Sequence, residues 1–319
     1  MRAVVLGELD KSPVLKDIKE PRPEDEQQVL DVKAAPVKTL DRLMTMKSFY
    51  GSFSNLPVII GTDGAGVLES GERVYAQGIT GMYAEKSLVQ KENYTILPDN
   101  LDFETAAALP NAIQGSALPM RLRGHIQKGS RILINGATGF TGQVAVQAAQ
   151  HYGAENIVAT GRDAKRLEKL KDLGADQTIS LLQSDEEVTN QLKTVLDEGA
   201  IDIVIDYLWG QPAGNILKVL AAGPTHAVRF INVGNLAGND INIAAGILRS
   251  SAIEVLGAGL GSYKEEELQQ FSAELIPEMF QLAAKGVLTV TTQRESLEDI
   301  EQIWKQEGEA GTRLVICPD

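Results

Sequence analysis

Cysteine is almost absent from this chain. Cys317 has no second cysteine to pair with among 319 residues. No internal disulfide is possible, and a reducing, cytoplasmic setting is the expectation. Histidine is scarce too. His125, His151 and His226 have no cysteine or carboxylate at ligand spacing, so all three read as structural or surface residues and no metal is expected. Positive charge is the third shortage: 30 Lys and Arg stand against 43 Asp and Glu, a net charge of -13. A field of that sign repels a polyanion, which removes nucleic acid from the expected partners and leaves solubility as the plain reading of the charge. No apolar run approaches the length of a membrane span, and the apolar core of residues 1–8 is too short for a signal peptide, so no membrane partner is expected.

What is present is the composition of a folded protein, 43% hydrophobic and 23% charged, in a length that suits about two domains. The chain up to residue 102 reads as short strands between turns, at 2–6, 14–16, 28–33, 58–60, 72–76 and 83–89. Glycines at every second or third position of 61–66 prohibit a good helix and suit a bent, closely packed strand. Many short strands at close spacing suggest a barrel-like β unit. Helical composition follows at 103–109 and 113–122, with Pro110 between. From Arg131 the pattern alternates. Strands are predicted at 132–135, 156–160, 178–180, 201–207, 228–233 and 253–257, and helices at 143–152, 164–173, 186–196 and 213–220. Such alternation with short connections predicts a parallel, doubly wound sheet, so the fold class is α/β. A helix at 265–285, a strand around 287–291, a helix at 297–306 and a strand at 312–317 complete the chain. That tail is expected to return to the N-terminal unit.

The most telling stretch is 132–142, where an apolar run ends in Asn135-Gly136-Ala137-Thr138-Gly139-Phe140-Thr141-Gly142 and a helical pattern begins at once. Strand, glycine turn and helix bring backbone N–H groups and a helix N-terminus up to a pyrophosphate. The register is Ala137-x-Gly139-x-x-Gly142, with alanine in place of the first glycine. Gly139 lets the backbone approach the pyrophosphate, and Gly142 lets the helix pack on the strand. The βαβ context turns a weak motif into an expectation of dinucleotide binding. The next strand ends in Thr160-Gly161-Arg162-Asp163. No acid stands at its tip to accept a ribose hydroxyl, whereas Arg162, with Lys165 and Arg166 on the following turn, suits a phosphate. The expected cofactor is therefore NADPH. Asp163 is a complication, since it is placed to pair with Arg162.

Further markers follow in order: Gly61-Thr62-Asp63-Gly64-Ala65-Gly66, Glu72-Arg73-Val74-Tyr75, Gly81-Met82-Tyr83-Ala84-Glu85, Ala106-Ala107-Ala108-Leu109-Pro110, Leu173-Gly174-Ala175-Asp176 and Leu248-Arg249-Ser250-Ser251. In this order and spacing nearly the whole chain resembles the zinc-independent quinone oxidoreductase branch of the medium-chain dehydrogenase/reductase superfamily. The resemblance implies a GroES-like β-barrel domain of residues 1–112 and 258–319, and a Rossmann domain of residues 113–257 with the cofactor in the cleft between them. It also implies a homodimer made by antiparallel pairing of the last Rossmann strands, here about 253–256. Zinc-dependent members carry a cysteine near Lys38 and a His-Glu pair near Thr62 and Asp63. This chain has neither, so the resemblance implies catalysis without metal. The activity it implies is NADPH-dependent hydride transfer to a small-molecule carbonyl acceptor, a quinone or another α,β-unsaturated carbonyl. A 2-enoyl thioester reductase and a non-catalytic NADPH-binding sensor are the alternatives.

The resemblance also nominates residues. Lys38 stands where relatives have asparagine beside the nicotinamide ribose, placed to bond the ribose or stabilise a forming enolate; its plain reading is a lysine reaching solvent. Tyr50 matches an aromatic on the substrate side, to stack or donate a proton, or simply to pack locally. Asn111 and Trp209 are the substrate-pocket candidates, Trp209 because it follows a strand's C-terminal end. Ser116 matches a hydroxyl residue facing the nicotinamide, and Val233-Gly234-Asn235 the backbone that meets the carboxamide. Ser262 either closes over the cofactor or caps the next helix, with the cap preferred.

Overall fold

The computed structural model describes residues 1–49, 51–223, 226–305 and 308–318. Gln27–Pro36 apart, its N-terminal strands are short because glycine, proline and charged turns interrupt them. They are β1 (Arg2–Leu6), β2 (Val14–Asp17), β3 (Gln27–Pro36), β4 (Val58–Ile59), β5 (Asp63–Leu68), β6 (Arg73–Gln77), β7 (Lys86–Gln90) and β8 (Tyr94–Ile96). Their pairings are antiparallel: β1 with β2 and β4, β3 with β5 and β7, and β6 with β5 and β8. The glycines of β5 have a reason. A Cβ on Gly64 would fall 2.7 Å from the carbonyl oxygen of Ala34, and one on Gly66 2.2 Å from that of Asp31. The strand thus lies close against β3, with a register shift between Val32 and Ala34.

From Arg131 the apolar runs form one parallel sheet of β9 (Arg131–Asn135), β10 (Asn156–Gly161), β11 (Gln177–Ser180), β12 (Ile203–Asp206), β13 (Val228–Asn232) and β14 (Ile253–Gly257). The order is β11-β10-β9-β12-β13-β14. The chain runs from β9 outward to one edge and then returns to the other side of β9. In such sheets ligands bind outside the C-terminal ends of the strands where the order reverses, here between β9 and β12. Leu133, Val158, Val204 and Phe230 are buried in its core, and each such side chain contributes on the order of 1.5–3 kcal/mol.

The tail supplies β15 (Thr291–Glu295) and β16 (Thr312–Ile316). β16 pairs antiparallel with β3, Val315 opposite Pro36 and Ile316 opposite Ala35, so the chain does return to its first unit. Contacts divide the chain into one unit of Met1–Pro110 with Ile276–Asp319 and another of Asn111–Leu275. The return therefore falls at Leu275/Ile276 and not at 257/258. Residues 258–275 stay with the parallel sheet's unit because Arg123 holds Glu267 at 2.8 and 3.1 Å and lies 4.4 Å over the ring of Tyr263.

β8 and the short helices Thr39–Met44 and Ala245–Ser250 add to the expected elements, and three of those expected are altered. Pro110 does not separate two helices; it lies inside the helix Phe103–Gly115, and the break comes at Ser116. Proline removes one N–H donor, but Ala106, Ala107, Leu109 and Ile113 are all fully buried, and that face holds the helix across the missing bond. The expected helix at 265–285 is interrupted by a π turn at Phe271–Leu275. The strand around 287–291 begins later, at Thr291, because Gly286 (φ +68) turns the chain first.

Candidate functional site

The glycine turn sorts its glycines by what faces them. Gly136 (φ +88) is left-handed, and a Cβ there would meet Leu208 at 2.9 Å. A Cβ on Gly142 would fall 2.5 Å from the Cα of Ala137, so Gly142 is the close contact of helix on turn. Gly139, the N-cap of the helix Phe140–His151 (φ -75), has nothing within 4 Å of its Cβ position and supplies no capping side chain. The first N–H groups of this helix have no partner within it, and the positive end of its dipole favours an anion there. Ala137 and Phe140 are buried, while Thr138 and Thr141 are half-buried. The end of the preceding helix closes on the same place: a Cβ on Gly115 would meet Thr141 at 2.9 Å and Val233 at 3.6 Å.

At the tip of β10, a Cβ on Gly161 would fall 2.3 Å from Cγ2 of Thr138, which explains the glycine. Asp163 does not pair with Arg162. It caps the helix Ala164–Asp172, accepting from the N–H of Arg166 at 3.0 Å, and its other oxygen takes Nη1 of Arg166 at 3.0 Å. Arg166 is thus engaged, whereas Arg162 and Lys165 are exposed, with no partner among the described residues.

Between these features runs a buried polar row that sequence reasoning missed. The Thr160 hydroxyl donates to Oδ1 of Asn135 at 2.7 Å, and Nδ2 of Asn135 donates to Oδ1 of Asp206 at 2.8 Å. Nδ2 of Asn232 reaches Oδ2 of Asp206 at 3.2 Å and the carbonyl of Gly234 at 2.7 Å. The N–H groups of Leu208 and Trp209 also donate to the Asp206 carboxylate, at 3.1 Å each for their nearest oxygen. Asp206 has no exposed surface, and burial raises its pKa against the lowering effect of these donors. Its signal in the sequence is only that polar residues end consecutive apolar strands.

Of the other nominated residues, Trp209, Val233 and Gly234 all donate backbone N–H groups to Asp206. Ser116 is fully buried, and its hydroxyl donates to the Ala112 carbonyl at 2.6 Å. Asn111 is half-buried at the start of the sheet-bearing unit. Trp209 sets its ring edge against Phe230, 6.3 Å between centroids. Val233 and Gly234 donate their N–H groups to the main-chain carbonyl of Asp206 at 2.8 and 3.2 Å, and Asn235 is exposed, bonded to Asn239 at 2.6 Å. Ser262 does not cap the next helix; Lys264 occupies that position, and the Ser262 hydroxyl donates to the Gly257 and Gly259 carbonyls instead. Tyr50 lies outside the described residues.

Lys38 does not reach solvent. It precedes the short helix Thr39–Met44, and Asp41, three residues on, accepts its backbone N–H at 3.0 Å. Its ammonium donates to Thr62 and Asp63 and lies 3.8 Å from Asp41. Tyr75 donates to Asp63 at 2.7 Å and Tyr83 to Asp41 at 3.1 Å. Burial lowers the Lys38 pKa, and Asp41 opposes that shift.

A parallel sheet with an open glycine turn at its reversal point, in one chain with an antiparallel unit, is the architecture of the medium-chain dehydrogenase/reductases. A family model described as zinc-binding dehydrogenase matches residues 141–277. The quinone oxidoreductase of Homo sapiens is 30% identical over 292 residues, 86% of this chain and 85% of that protein. The chloroplastic NADPH-dependent alkenal/one oxidoreductase of Arabidopsis thaliana is 28% identical over 260 residues, 74% of this chain and 66% of that protein. The quinone oxidoreductase of Thermus thermophilus, whose structure was also solved in complex with NADPH, superposes with a TM-score of 0.79 at 25% identity, covering 99% of this chain and 100% of that one. The chain belongs to the quinone oxidoreductase family and is an oxidoreductase.

The zinc in the family model's description does not fit the residues present. Among the described residues no group of three or more His, Cys, Asp or Glu side chains converges in a way that could hold a metal ion. Lys38 and Thr62 bring an ammonium and a hydroxyl, and an ammonium repels a cation instead of ligating it. The matched span, 141–277, includes neither residue.

Proposed function

We propose that this chain is an NADPH-dependent oxidoreductase that reduces quinones or other α,β-unsaturated carbonyls without a metal. The observation that carries the proposal is the turn at Gly139, the glycine of the motif whose missing Cβ leaves space open at the start of a helix. The N–H groups of Phe140, Thr141 and Gly142 orient a pyrophosphate there. Arg162 and Lys165 take the 2′-phosphate that distinguishes NADPH from NADH. Bound NADPH supplies the hydride. The protein's own share is orientation and exclusion of water at the acceptor. Lys38 is proposed to balance the charge that arrives on the acceptor, with solvent and ribose protons; unchanged turnover and NADPH affinity in folded Lys38→Ala makes it a bystander.

The acceptor class rests on the relatives, whose names span a quinone and an alkenal or enone. Both are conjugated carbonyls that spread an arriving charge. We further propose a cytoplasmic homodimer paired through β14, which has β13 as its hydrogen-bonded neighbour among the described strands and exposes Val255. A folded, monomeric Val255→Arg variant beside a dimeric parent supports that pairing, and a monomeric parent removes it.

The deciding experiment follows NADPH and NADH oxidation over a panel of quinones, enones and 2-enoyl thioesters, before and after dialysis against a chelator. Turnover of quinones or enones that prefers NADPH and survives chelation is expected. Turnover confined to thioesters replaces the acceptor class. Tight NADPH binding with no hydride transfer replaces the enzyme with a sensor.

A further inference from the structure

We infer that Asp206 is a positioning residue for the cofactor, its buried carboxylate clamping together the loops that follow β9, β12 and β13; the inference rests on the NADPH site proposed above. The argument is one of hydrogen-bond sign. Oδ1 accepts from Nδ2 of Asn135 at 2.8 Å and from the N–H groups of Leu208 and Trp209 at 3.1 and 3.2 Å. Oδ2 accepts from the Trp209 N–H at 3.1 Å and Nδ2 of Asn232 at 3.2 Å. All four groups are donors. A site with donors on both oxygens calls for an ionised carboxylate, because an amide there would turn its own NH2 toward one of them.

What the carboxylate holds is the floor of the proposed site. Asn135 is the last residue before the glycine turn, and through Thr160 it also reaches the turn, since the Gly136 N–H donates to the Thr160 hydroxyl at 3.0 Å. Trp209 is held with φ +55, a left-handed backbone unusual for a bulky residue. Both carboxylate oxygens accept its N–H, so the strained turn and the clamp coincide. At the end of β13, Asn232 bridges the carboxylate to the Gly234 carbonyl in the loop that follows. Asp206 sits opposite Asn135 in the register of β12 on β9, where the strand order reverses.

The charge itself is of the wrong sign for an anion site. By electrostatics alone, removing it tightens the binding of a pyrophosphate. A positioning role predicts the opposite, and the sign of the effect separates the two.

The test uses the full chain and titrates NADPH by fluorescence or calorimetry against the parent, Asp206→Asn and Asn232→Ala, with melting temperature and steady-state kinetics beside it. Asp206→Asn is expected to raise the NADPH Kd and KM by about tenfold or more, with kcat at saturating NADPH changed far less, as loosened loops would do. Asn232→Ala keeps the carboxylate and removes one donor, so it shifts Kd in the same direction by less, and it carries the test if Asp206→Asn does not fold. Unchanged or tighter NADPH binding in folded Asp206→Asn overturns the inference. If that variant is unfolded, unchanged binding in Asn232→Ala does so. A parent that binds no NADPH in the same titration defeats the proposed function itself, a separate result.

Discussion

Lys38 donates to the carboxylate of Asp63 inside the N-terminal unit, and both side chains are buried. Two buried carboxylates, Asp41 and Asp63, share this ammonium, and each also accepts from a phenol, Asp63 from Tyr75 and Asp41 from Tyr83. Removing one partner of such a group strands the other charge in a low dielectric. Lys38→Met is therefore expected to destabilise the protein by roughly 3–5 kcal/mol, read as a lower urea midpoint at pH 7. A midpoint equal to the parent's would show that the pair contributes nothing net.

Gly139 and Gly142 belong to one turn but predict different failures. Alanine at 139 meets nothing within 4 Å and suits its φ of -75. It costs at most about 1 kcal/mol as a poorer helix cap, while its methyl occupies the space proposed for pyrophosphate. Alanine at 142 collides with the backbone of Ala137 at 2.5 Å and is expected to cost about 1–3 kcal/mol as overpacking. Melting temperature and NADPH titration on both variants check this. Equal losses of stability would refute the division of labour.

The parallel sheet was legible in the sequence because its strands are apolar runs closed by glycine or polar residues, and helices with a different periodicity separate them. The glycine turn was legible for the same local reason. Asp206 was not, since its Asn135 partner is 71 positions away and only the register of β12 on β9 brings them together. The pairing of Arg123 with Glu267, which moved the return between units, spans 144 positions and has no local signal either. The continuity of the helix through Pro110 has no local signal, because it rests on the burial of Ala106, Ala107, Leu109 and Ile113, which only tertiary structure reveals. Lys38 is conspicuous in the sequence, but the two aspartates that hold it are not.

Arg162 lacks a carboxylate partner among the described residues, so its guanidinium is not already neutralised. Arg162→Ala is expected to lower kcat/KM for NADPH by about tenfold to a hundredfold, the range of a lost charge-assisted bond. NADH, which has no 2′-phosphate, should be affected far less. A proportional loss with both cofactors would assign Arg162 a different role.

Acid stability offers a check on Glu267. Its hydrogen bonds to Arg123 lower its pKa to about 2 from 4.5. Between those values the unfolded chain binds the proton and the folded one does not, so this contribution is full above pH 4.5 and is lost as pH falls toward 2. Solvent screens part of it, since a quarter of the side chain is exposed. Glu267→Gln should flatten this limb of the stability curve and lower stability at neutral pH by a modest amount. A limb as steep as the parent's would place the titration elsewhere.

Gly161 rests on Thr138 so closely that no larger residue fits between them. The path of the chain into Arg162 is thereby set by the turn below it, whatever side chains follow. In the proposed site, holding the pyrophosphate and choosing between two forms of the cofactor become separable properties. An engineer seeking to convert one preference into the other should alter the side chains at 162 and 165 and leave the Gly161 contact untouched.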